Sequence, residues 1–273
     1  MKVLLVDTTK CNGCRCCQLA CKDEHCGNDW SPYSLPQPMS GQFWCNVEEE
    51  ERGRVPVVRV AYTPVFCNHC DVCPVLEAAP ECVRRDERGF VLIDPEAARG
   101  RRDLVDLCPF ERVFFNVELN VPQKCTGCAH LLDNGWKEPR CVDACATGAL
   151  RFGEAEDFAD EIARATRQPD LPASLDEHGS HVHYLNVPKR WIAGTVADRE
   201  INEVLIGANV TICAEDGTVV AQTQTDWAGD FRFYDCDRTR YRVRIEATGY
   251  KPIELEADCT ERDVVFDDIF ATR

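Results

Sequence analysis

The chain has 273 residues, a formal net charge of −16 and 19 cysteines. This length predicts one large domain or two modest ones. The acidic balance argues against nucleic-acid binding, which requires Lys and Arg to neutralise phosphates. Cysteine this abundant indicates either a disulfide framework in a small secreted protein or metal ligation.

The distribution of the cysteines favours metal ligation in a two-domain chain. Sixteen of them lie between Cys11 and Cys145. Cys213, Cys236 and Cys259 follow without ligand spacing, and we expect them to be buried free thiols. The sequence has no signal-peptide pattern and no apolar run long enough to span a membrane. We therefore expect a cytoplasmic protein; the alternative is export together with a large subunit that carries the signal.

The first cysteine group follows an apolar run, Lys2 to Asp7, that predicts a buried strand. The group has the spacing C-x2-C-x2-C-x3-C and consists of Cys11, Cys14, Cys17 and Cys21. This spacing is typical of a bacterial ferredoxin, in which three cysteines bind one [4Fe–4S] cluster and the fourth binds another. The adjoining Cys16 would give a poorer spacing as a ligand.

The second cysteine group offers three closely spaced thiols, those of Cys67, Cys70 and Cys73. Their fourth partner must come from elsewhere. Cys108 is the candidate, because a cysteine followed by proline commonly closes such sites. Cys82 is the alternative to Cys73. Between these cysteines, Gly89 to Asp94 predicts a strand and Pro95 to Leu107 predicts a short helix.

The third cysteine group ends in the same C-x3-C spacing as the first, and its members are Cys125, Cys128, Cys141 and Cys145. The first and third groups predict the two halves of a pseudo-twofold ferredoxin, in which each half lends its last cysteine to the other. This pairing gives three sites, each for one [4Fe–4S] cluster. Site I consists of Cys11, Cys14, Cys17 and Cys145. Site II consists of Cys125, Cys128, Cys141 and Cys21. Site III consists of Cys67, Cys70, Cys73 and Cys108.

Zinc is the alternative metal, because C-x2-C pairs also form zinc ribbons. Zinc sites use two cysteine pairs, however, whereas here triplets recur with a distant fourth ligand. The sequence contains no nucleophile elbow, phosphate loop or nucleotide fingerprint, so we predict no catalytic residue. A chain with several clusters and no catalytic motif is most simply a conductor of electrons between partners. A purely structural role, with the clusters as folding staples, is a further alternative.

The C-terminal part changes in character. Glu154 to Arg167 has helical spacing, and the polar, proline-containing segment 168–190 predicts a linker. We expect His181 and His183 in this segment to be solvated or packed, with metal binding as the alternative. Beyond Trp191, four segments alternate at period two and predict strands. They are Ala208 to Cys213, Val219 to Thr225, Asp230 to Tyr234 and Tyr241 to Ala247.

The predicted fold class is therefore α+β. A ferredoxin-like domain with several [4Fe–4S] clusters covers residues 1–167, and the linker covers 168–190. An all-β antiparallel sandwich, or alternatively a barrel, covers 191–273.

Several motifs resemble a known family. They are Ala20 to His25, Gly27 to Trp30, Gly89 to Pro95, Cys108 to Phe110, Pro122 to Cys125, Ala129 to Asp133 and Pro139 to Cys141. Together with the cysteine spacing they resemble the iron–sulfur subunits of dimethyl-sulfoxide-reductase-type molybdopterin oxidoreductases. The similarity is greatest to the small subunits of pyrogallol–phloroglucinol transhydroxylase and of catechol dehydroxylases. The resemblance covers residues 1 to about 155. It extends more loosely over the β domain, which is similar to transthyretin-like or carboxypeptidase-regulatory sandwiches.

The resemblance implies a heterodimer. A large subunit with molybdenum bis(pterin) would act on a catechol or another polyhydroxylated aromatic, by dehydroxylation or transhydroxylation, and this chain would supply or store electrons. Many relatives carry four clusters, but here one cysteine triplet is absent before Cys108, and Ala79 lies where its closing cysteine would be. Relatives usually space the second group as C-x2-C-x4-C, so Cys73 lies two residues early. The alternative function is a stand-alone polyferredoxin with a β-domain for adhesion or scaffolding.

Overall fold

The computed structural model describes residues 1–55, 57–166 and 171–273. The first nine strands are β1 (Lys2–Asp7), β2 (Asn46–Arg54), β3 (Val57–Val65), β4 (Val83–Arg85), β5 (Val91–Ile93), β6 (Phe114–Asn116), β7 (Val121–Gln123), β8 (Leu150–Glu154) and β9 (Val182–Leu185). The later strands are β10 (Arg190–Asp198), β11 (Glu203–Val204), β12 (Asn209–Cys213), β13 (Val219–Gln224), β14 (Asp230–Cys236), β15 (Arg240–Glu246), β16 (Ile253–Asp258), β17 (Val264–Val265) and β18 (Ile269–Ala271). The α-helices are α1 (Cys16–His25), α2 (Pro74–Ala78), α3 (Ala129–Asp133), α4 (Arg140–Asp143), α5 (Ala159–Ala165) and α6 (Ala173–Glu177). Short 3-10 helices span Thr8–Lys10, Arg102–Leu104 and Ala155–Phe158.

The chain forms two compact units. The first contains Met1–Glu49 and Tyr62–Val187, and the second contains Glu50–Ala61 and Pro188–Arg273. This division differs from the sequence prediction, in which residues 50–61 belong to the cluster domain and 168–190 form a linker. In the structure, α6 and β9 are part of the first unit. The predicted linker residues 168–170 lie outside the described part of the chain.

The first unit is built around β1. Strand β8 pairs with it antiparallel and β9 pairs with it parallel, whereas β4–β5 and β6–β7 form separate hairpins. The prediction of a strand at Lys2–Asp7 is confirmed. The predicted helix from Pro95 to Leu107 is wrong, because turns fill this segment apart from the 3-10 helix Arg102–Leu104. Gly100, in its middle, has a φ of 81°, which a right-handed helix does not allow.

Cysteines contribute to the core of the first unit. Cys17, Cys21 and Cys141 are buried in one apolar cluster with Trp44 and Tyr184. A second apolar cluster lies around β4 and β5 and consists of Val75, Ala79, Cys82, Val83, Val91, Ile93, Ala98, Leu104 and Val113. Several of the predicted ligands are therefore held in place by packed apolar side chains.

In the second unit, two sheets contribute to one core, and residues 50–54 and 57–61 of this unit belong to the paired strands β2 and β3. The first sheet has the order β11–β10–β14, with β17 and β18 also paired to β10, and the second has the order β13–β12–β15–β16. Alternation explains the second sheet: along β15, Tyr241, Val243 and Ile245 are buried and the intervening residues are exposed. The core takes residues from both sheets, such as Phe231 and Val210.

Two details of this unit differ from the prediction. The four predicted strands are present as β12 to β15, but the unit is not wholly antiparallel, since β17 and β18 pair parallel with β10. Cys236 and Cys259 are buried as expected, whereas Cys213 is only partly buried. In the part of the chain that the structure describes, no helix is long and apolar enough to cross a membrane.

Candidate metal centres

The two ferredoxin-like loops have the same local design. Each has the sequence C-x-G-C, and both glycines have positive φ, 72° at Gly13 and 64° at Gly127. A Cβ at Gly13 would lie 2.5 Å from the ring of Tyr62, and one at Gly127 would lie 2.6 Å from the ring of Phe90. Glycine is therefore required in both loops for conformation and for space. This correspondence fits the pseudo-twofold relation that the sequence predicts.

Site I brings together distant parts of the chain. Burial raises the pKa of the Cys11 thiol, and neighbouring thiols raise it further. These neighbours are Cys17, Cys14 and Cys145. Cys14 is exposed, as is the adjoining Cys16. The four thiols predicted for site I are thus neighbours, and one of them, that of Cys14, is exposed.

Site II is the most deeply buried of the three. Burial raises the pKa of the Cys21 thiol, and the charges of Cys128 and Cys125 add to this effect. The pKa of Cys141 is raised by burial and then by Cys128, Cys21 and Cys125. Burial also raises the pKa of Cys128 to about 12 and that of Cys125 to about 11. All four predicted ligands of site II line one mostly apolar cavity.

Site III also has its predicted members close together. Burial raises the pKa of the Cys70 thiol to about 12, with further contributions from its neighbours Cys67, Cys73 and Cys108. Cys82 differs in its electrostatic surroundings. It is buried in the apolar cluster against which Cys73 and Cys108 also pack, but the charges that act on its thiol are those of Glu81, Arg101, Asp103 and Asp94, and no other cysteine is among them. This arrangement favours Cys73 over Cys82 as a ligand.

We expect Cys82→Ala to keep the full iron content of the purified protein, about twelve atoms per chain, because a buried apolar thiol is replaced by a small apolar side chain. Cys73→Ala should lower the content to about eight atoms, because site III loses a ligand. Iron analysis of the two anaerobically purified variants checks this prediction. The reverse result would make Cys82 the ligand.

Hydrogen bonds reach several of the sulfurs. The backbone amide of Gly127 donates to Cys125 Sγ and that of Leu150 donates to Cys145 Sγ, both at 3.4 Å. The thiol of Cys45 is hydrogen-bonded to Cys17 and lowers the pKa of that thiol to about 7. Donors to cluster sulfurs stabilise the more negative, reduced state of a cluster. Sites I and II therefore have part of the environment that sets a reduction potential.

Polar residues beside the sites were missed by the sequence analysis. His25 Nε2 lies 4.0 Å from Cys128 Sγ, and burial lowers the pKa of His25 to about 3. His69, between two predicted ligands of site III, is buried, which lowers its pKa. Lys124 and Cys45 are also buried. His69 and Lys124 lie next to cysteine ligands in the sequence, and His25 and Lys124 lie in motifs of the family resemblance, whereas Cys45 carried no such signal.

The remaining candidates are not among the predicted ligands, although His181 lines the cavity of site II. His181 is buried, and its Nε2 is 2.8 Å from Asp71 Oδ1, so it is packed rather than solvated. Cys26 Sγ lies 3.2 Å from Met39 Sδ. Among the residues that the structure describes, no three His, Cys, Asp or Glu side chains are placed to hold one metal ion. A [4Fe–4S] cluster instead takes one thiolate for each of its irons.

The donor set fits such clusters. Each site offers four thiols, and the cavity at site II is lined by apolar side chains such as Phe66, Phe90 and Phe152 together with the cysteines. Soft thiolate ligands in an apolar, largely dry setting are what iron–sulfur clusters use.

Comparison with known proteins agrees with this chemistry. Residues 58–155 match the family model of the 4Fe-4S dicluster domain, and residues 191–265 match that of the carboxypeptidase regulatory-like domain. Among solved structures, a major pilin subunit of Bacillus cereus covers 34% of this chain and 31% of its own, at 15% identity and a TM-score of 0.28. A likeness this weak carries no argument.

Curated relatives extend over more of the chain. The pyrogallol hydroxytransferase small subunit of Pelobacter acidigallici is 35% identical over 255 residues, which cover 90% of each protein. A tetrathionate reductase subunit of Salmonella typhimurium is 29% identical over 69% of this chain and 74% of its own. A probable anaerobic dimethyl sulfoxide reductase chain of Escherichia coli K12 is 29% identical over 61% of this chain and 80% of its own.

The cysteine sites and the dicluster domain define an iron–sulfur protein of the [4Fe–4S] electron-transfer class. The chain belongs to the family of iron–sulfur subunits of dimethyl-sulfoxide-reductase-type molybdopterin oxidoreductases, the family that includes the pyrogallol hydroxytransferase small subunit.

Proposed function

We propose that this chain carries three [4Fe–4S] clusters, one in each of sites I to III, and conducts electrons to or from a large molybdopterin subunit that acts on a catechol or another polyhydroxylated aromatic. The observation that carries the proposal is the grouping of twelve cysteines into three sets of neighbouring thiols. Clusters of this kind change oxidation state by one electron and need no substrate pocket of their own.

The proximity of the sites supports a linear path. Cys17 of site I is close enough to Cys21 and Cys141 of site II to affect their thiol pKa values. In the same way Cys67 of site III acts on Cys125 of site II. Site II is therefore the neighbour of both other sites. In the proposed path an electron crosses site II between an exposed end at site I and the opposite end at site III.

The apolar cluster around β4 and β5 supports a count of three clusters. The position where relatives with four clusters would have a closing cysteine is Ala79, which is fully buried in the apolar cluster that also contains Cys82. Packed aliphatic side chains such as Val75 and Leu104 fill this region. We propose that this apolar packing replaces a fourth cluster.

The partner and the substrate class are proposed from the relatives. Each is by its name a subunit or chain of a larger enzyme, and the relative that is matched over 90% of its length belongs to a hydroxytransferase for pyrogallol. The β domain, residues 191–273, is proposed to be an antiparallel sandwich that serves as an interaction or shielding module. Both a transhydroxylase and a dehydroxylase are compatible with the chain. A transhydroxylase would need no net supply of electrons, whereas a reductive dehydroxylase would.

Metal content tests the proposal. We expect the anaerobically purified protein to contain about twelve irons per chain and to give reduced-cluster signals in electron paramagnetic resonance after dithionite is added. Molybdenum should co-purify in a partner of much larger mass. Fractionation should place this complex in the cytoplasm, or outside it if the large subunit carries an export signal.

The outcomes separate the rival functions. Full iron content without a molybdenum partner would favour a stand-alone polyferredoxin with a β interaction module. Clusters that no accessible potential reduces would leave them as structural staples. Zinc in place of iron would contradict the electron-transfer function itself.

A further inference from the structure

Lys124 is a buried cation beside the ligands of two sites. It follows β7 and precedes Cys125, and it is 4% exposed. Its Nζ donates a hydrogen bond of 2.8 Å to the carbonyl oxygen of Cys125. Within residues 1–55, 57–166 and 171–273, no carboxylate forms an ion pair with it. Burial of a lysine without an acidic partner is costly, so stability does not explain a lysine at this position.

The charge of Lys124 acts on both neighbouring sites. Burial raises the pKa of the Cys125 thiol in site II and of the Cys108 thiol in site III, and the Lys124 charge opposes the shift in both. The same charge helps to lower the pKa of buried His69, after burial itself. Since His69 lies between two predicted ligands of site III, the ammonium is near the cysteine loops of both sites.

A positive charge in this position has a direct consequence for clusters. When an oxidised [4Fe–4S] cluster takes up one electron, it gains one negative charge. A fixed cation stabilises the more negative, reduced state, and burial strengthens the interaction because little water screens it. Charge near a cluster is accordingly one of the factors that set its potential.

We propose that the positive charge of Lys124 is shared by sites II and III. It raises the reduction potentials of the clusters in both sites and leaves the potential of the cluster in site I unaffected. This proposal rests on the proposed function, because it requires clusters at these sites. One side chain would then raise the reduction potentials of the two more buried clusters relative to that of the cluster in site I.

The test is a potentiometric titration with dithionite as the reductant, followed by electron paramagnetic resonance, on the intact protein with any co-purifying partner. Lys124→Met removes the buried charge and keeps an unbranched side chain. Lys137→Met removes the same charge from an exposed position in the first unit. We expect Lys124→Met to shift the midpoint potentials of two of the three clusters to more negative values. Lys137→Met should leave all three unchanged, because water screens its charge.

Lys124→Arg provides the conservative control, since it keeps the charge. It should retain all three midpoint potentials, whereas Lys124→Gln should repeat the shift of Lys124→Met. Unchanged potentials in Lys124→Met and Lys124→Gln, or an equal shift in Lys124→Arg, would overturn the proposal. Iron content is measured first on every sample. If the unsubstituted protein lacks clusters, the proposed function fails rather than the role of Lys124.

Discussion

Cys21→Ser and Cys125→Ser should remove the same cluster, although the two residues belong to different cysteine groups of the sequence. Each substitution should lower the iron content from about twelve to about eight atoms per chain, because each takes one thiolate from site II. The double variant should lose no more iron than either single variant, since the losses are not additive within one site. Combining Cys21→Ser with Cys11→Ser should instead leave about four irons, because two sites lose a ligand.

Cys45→Ser is the matched control for this experiment. Cys45 is as buried as Cys21 and is a neighbour of Cys17, Cys21 and Cys141, but it belongs to none of the three sites. It should keep its iron and shift only the potential of the cluster in site I, to whose ligand Cys17 it is hydrogen-bonded. The crossed pairing fails if Cys21→Ser combined with Cys11→Ser loses no more iron than Cys11→Ser alone.

The parts of the site that the sequence predicted are those set by local spacing. Short spacings such as that from Cys11 to Cys17 are dictated by the size of a cluster, so they can be read without knowledge of the fold. The strand at Lys2–Asp7 is likewise local, because an apolar run of this length is buried as a strand. Even the distant fourth ligand predicted for site I, Cys145, follows from the repetition of one loop.

What the sequence could not predict depends on contacts between distant residues. The linker prediction for 168–190 rested on polar composition, but β9 in this segment is held by parallel pairing with β1, as in Val6 with Tyr184. Tertiary pairing overrides composition here. The burial of Cys45 and Lys124 also arises from packing. Nothing in the local sequence distinguishes Cys45, which lies beside two sites, from Cys26, which does not.

The second unit contains a buried ion pair, and breaking it should strongly destabilise this unit. The side chains of Arg52 and Asp263 are 6% and 3% exposed, and the guanidinium donates two hydrogen bonds to the carboxylate, at 2.6 and 2.9 Å. Arg52 also donates to the carbonyl oxygens of Pro188 and Lys189. The backbone amide of Trp191 donates to Asp263. This network attaches residues 50–61 to the C-terminal part of the same unit, which explains why the sequence division at Trp191 missed them.

Asp263→Ala should lower the free energy of opening of the second unit by about 3–5 kcal/mol, because it leaves the Arg52 charge buried without a partner. Hydrogen exchange of peptides from β10 and β14 measures this quantity separately from the first unit. Asp267→Ala is the matched control, because it removes an acidic side chain from an exposed ion pair. Asp267 is 92% exposed and its partner Arg54 is 49% exposed.

Asp267→Ala should change the exchange of β10 little, since water screens a surface ion pair. Replacing both members of the buried pair, as Arg52→Met with Asp263→Leu, should recover most of the stability lost in Asp263→Ala, because no uncompensated charge remains inside. If the double variant were as unstable as Asp263→Ala, the loss would come from the missing hydrogen bonds of the carboxylate to Trp191 rather than from the stranded charge. If Asp263→Ala exchanged like Asp267→Ala, the pair would not hold residues 50–61 in the second unit at all.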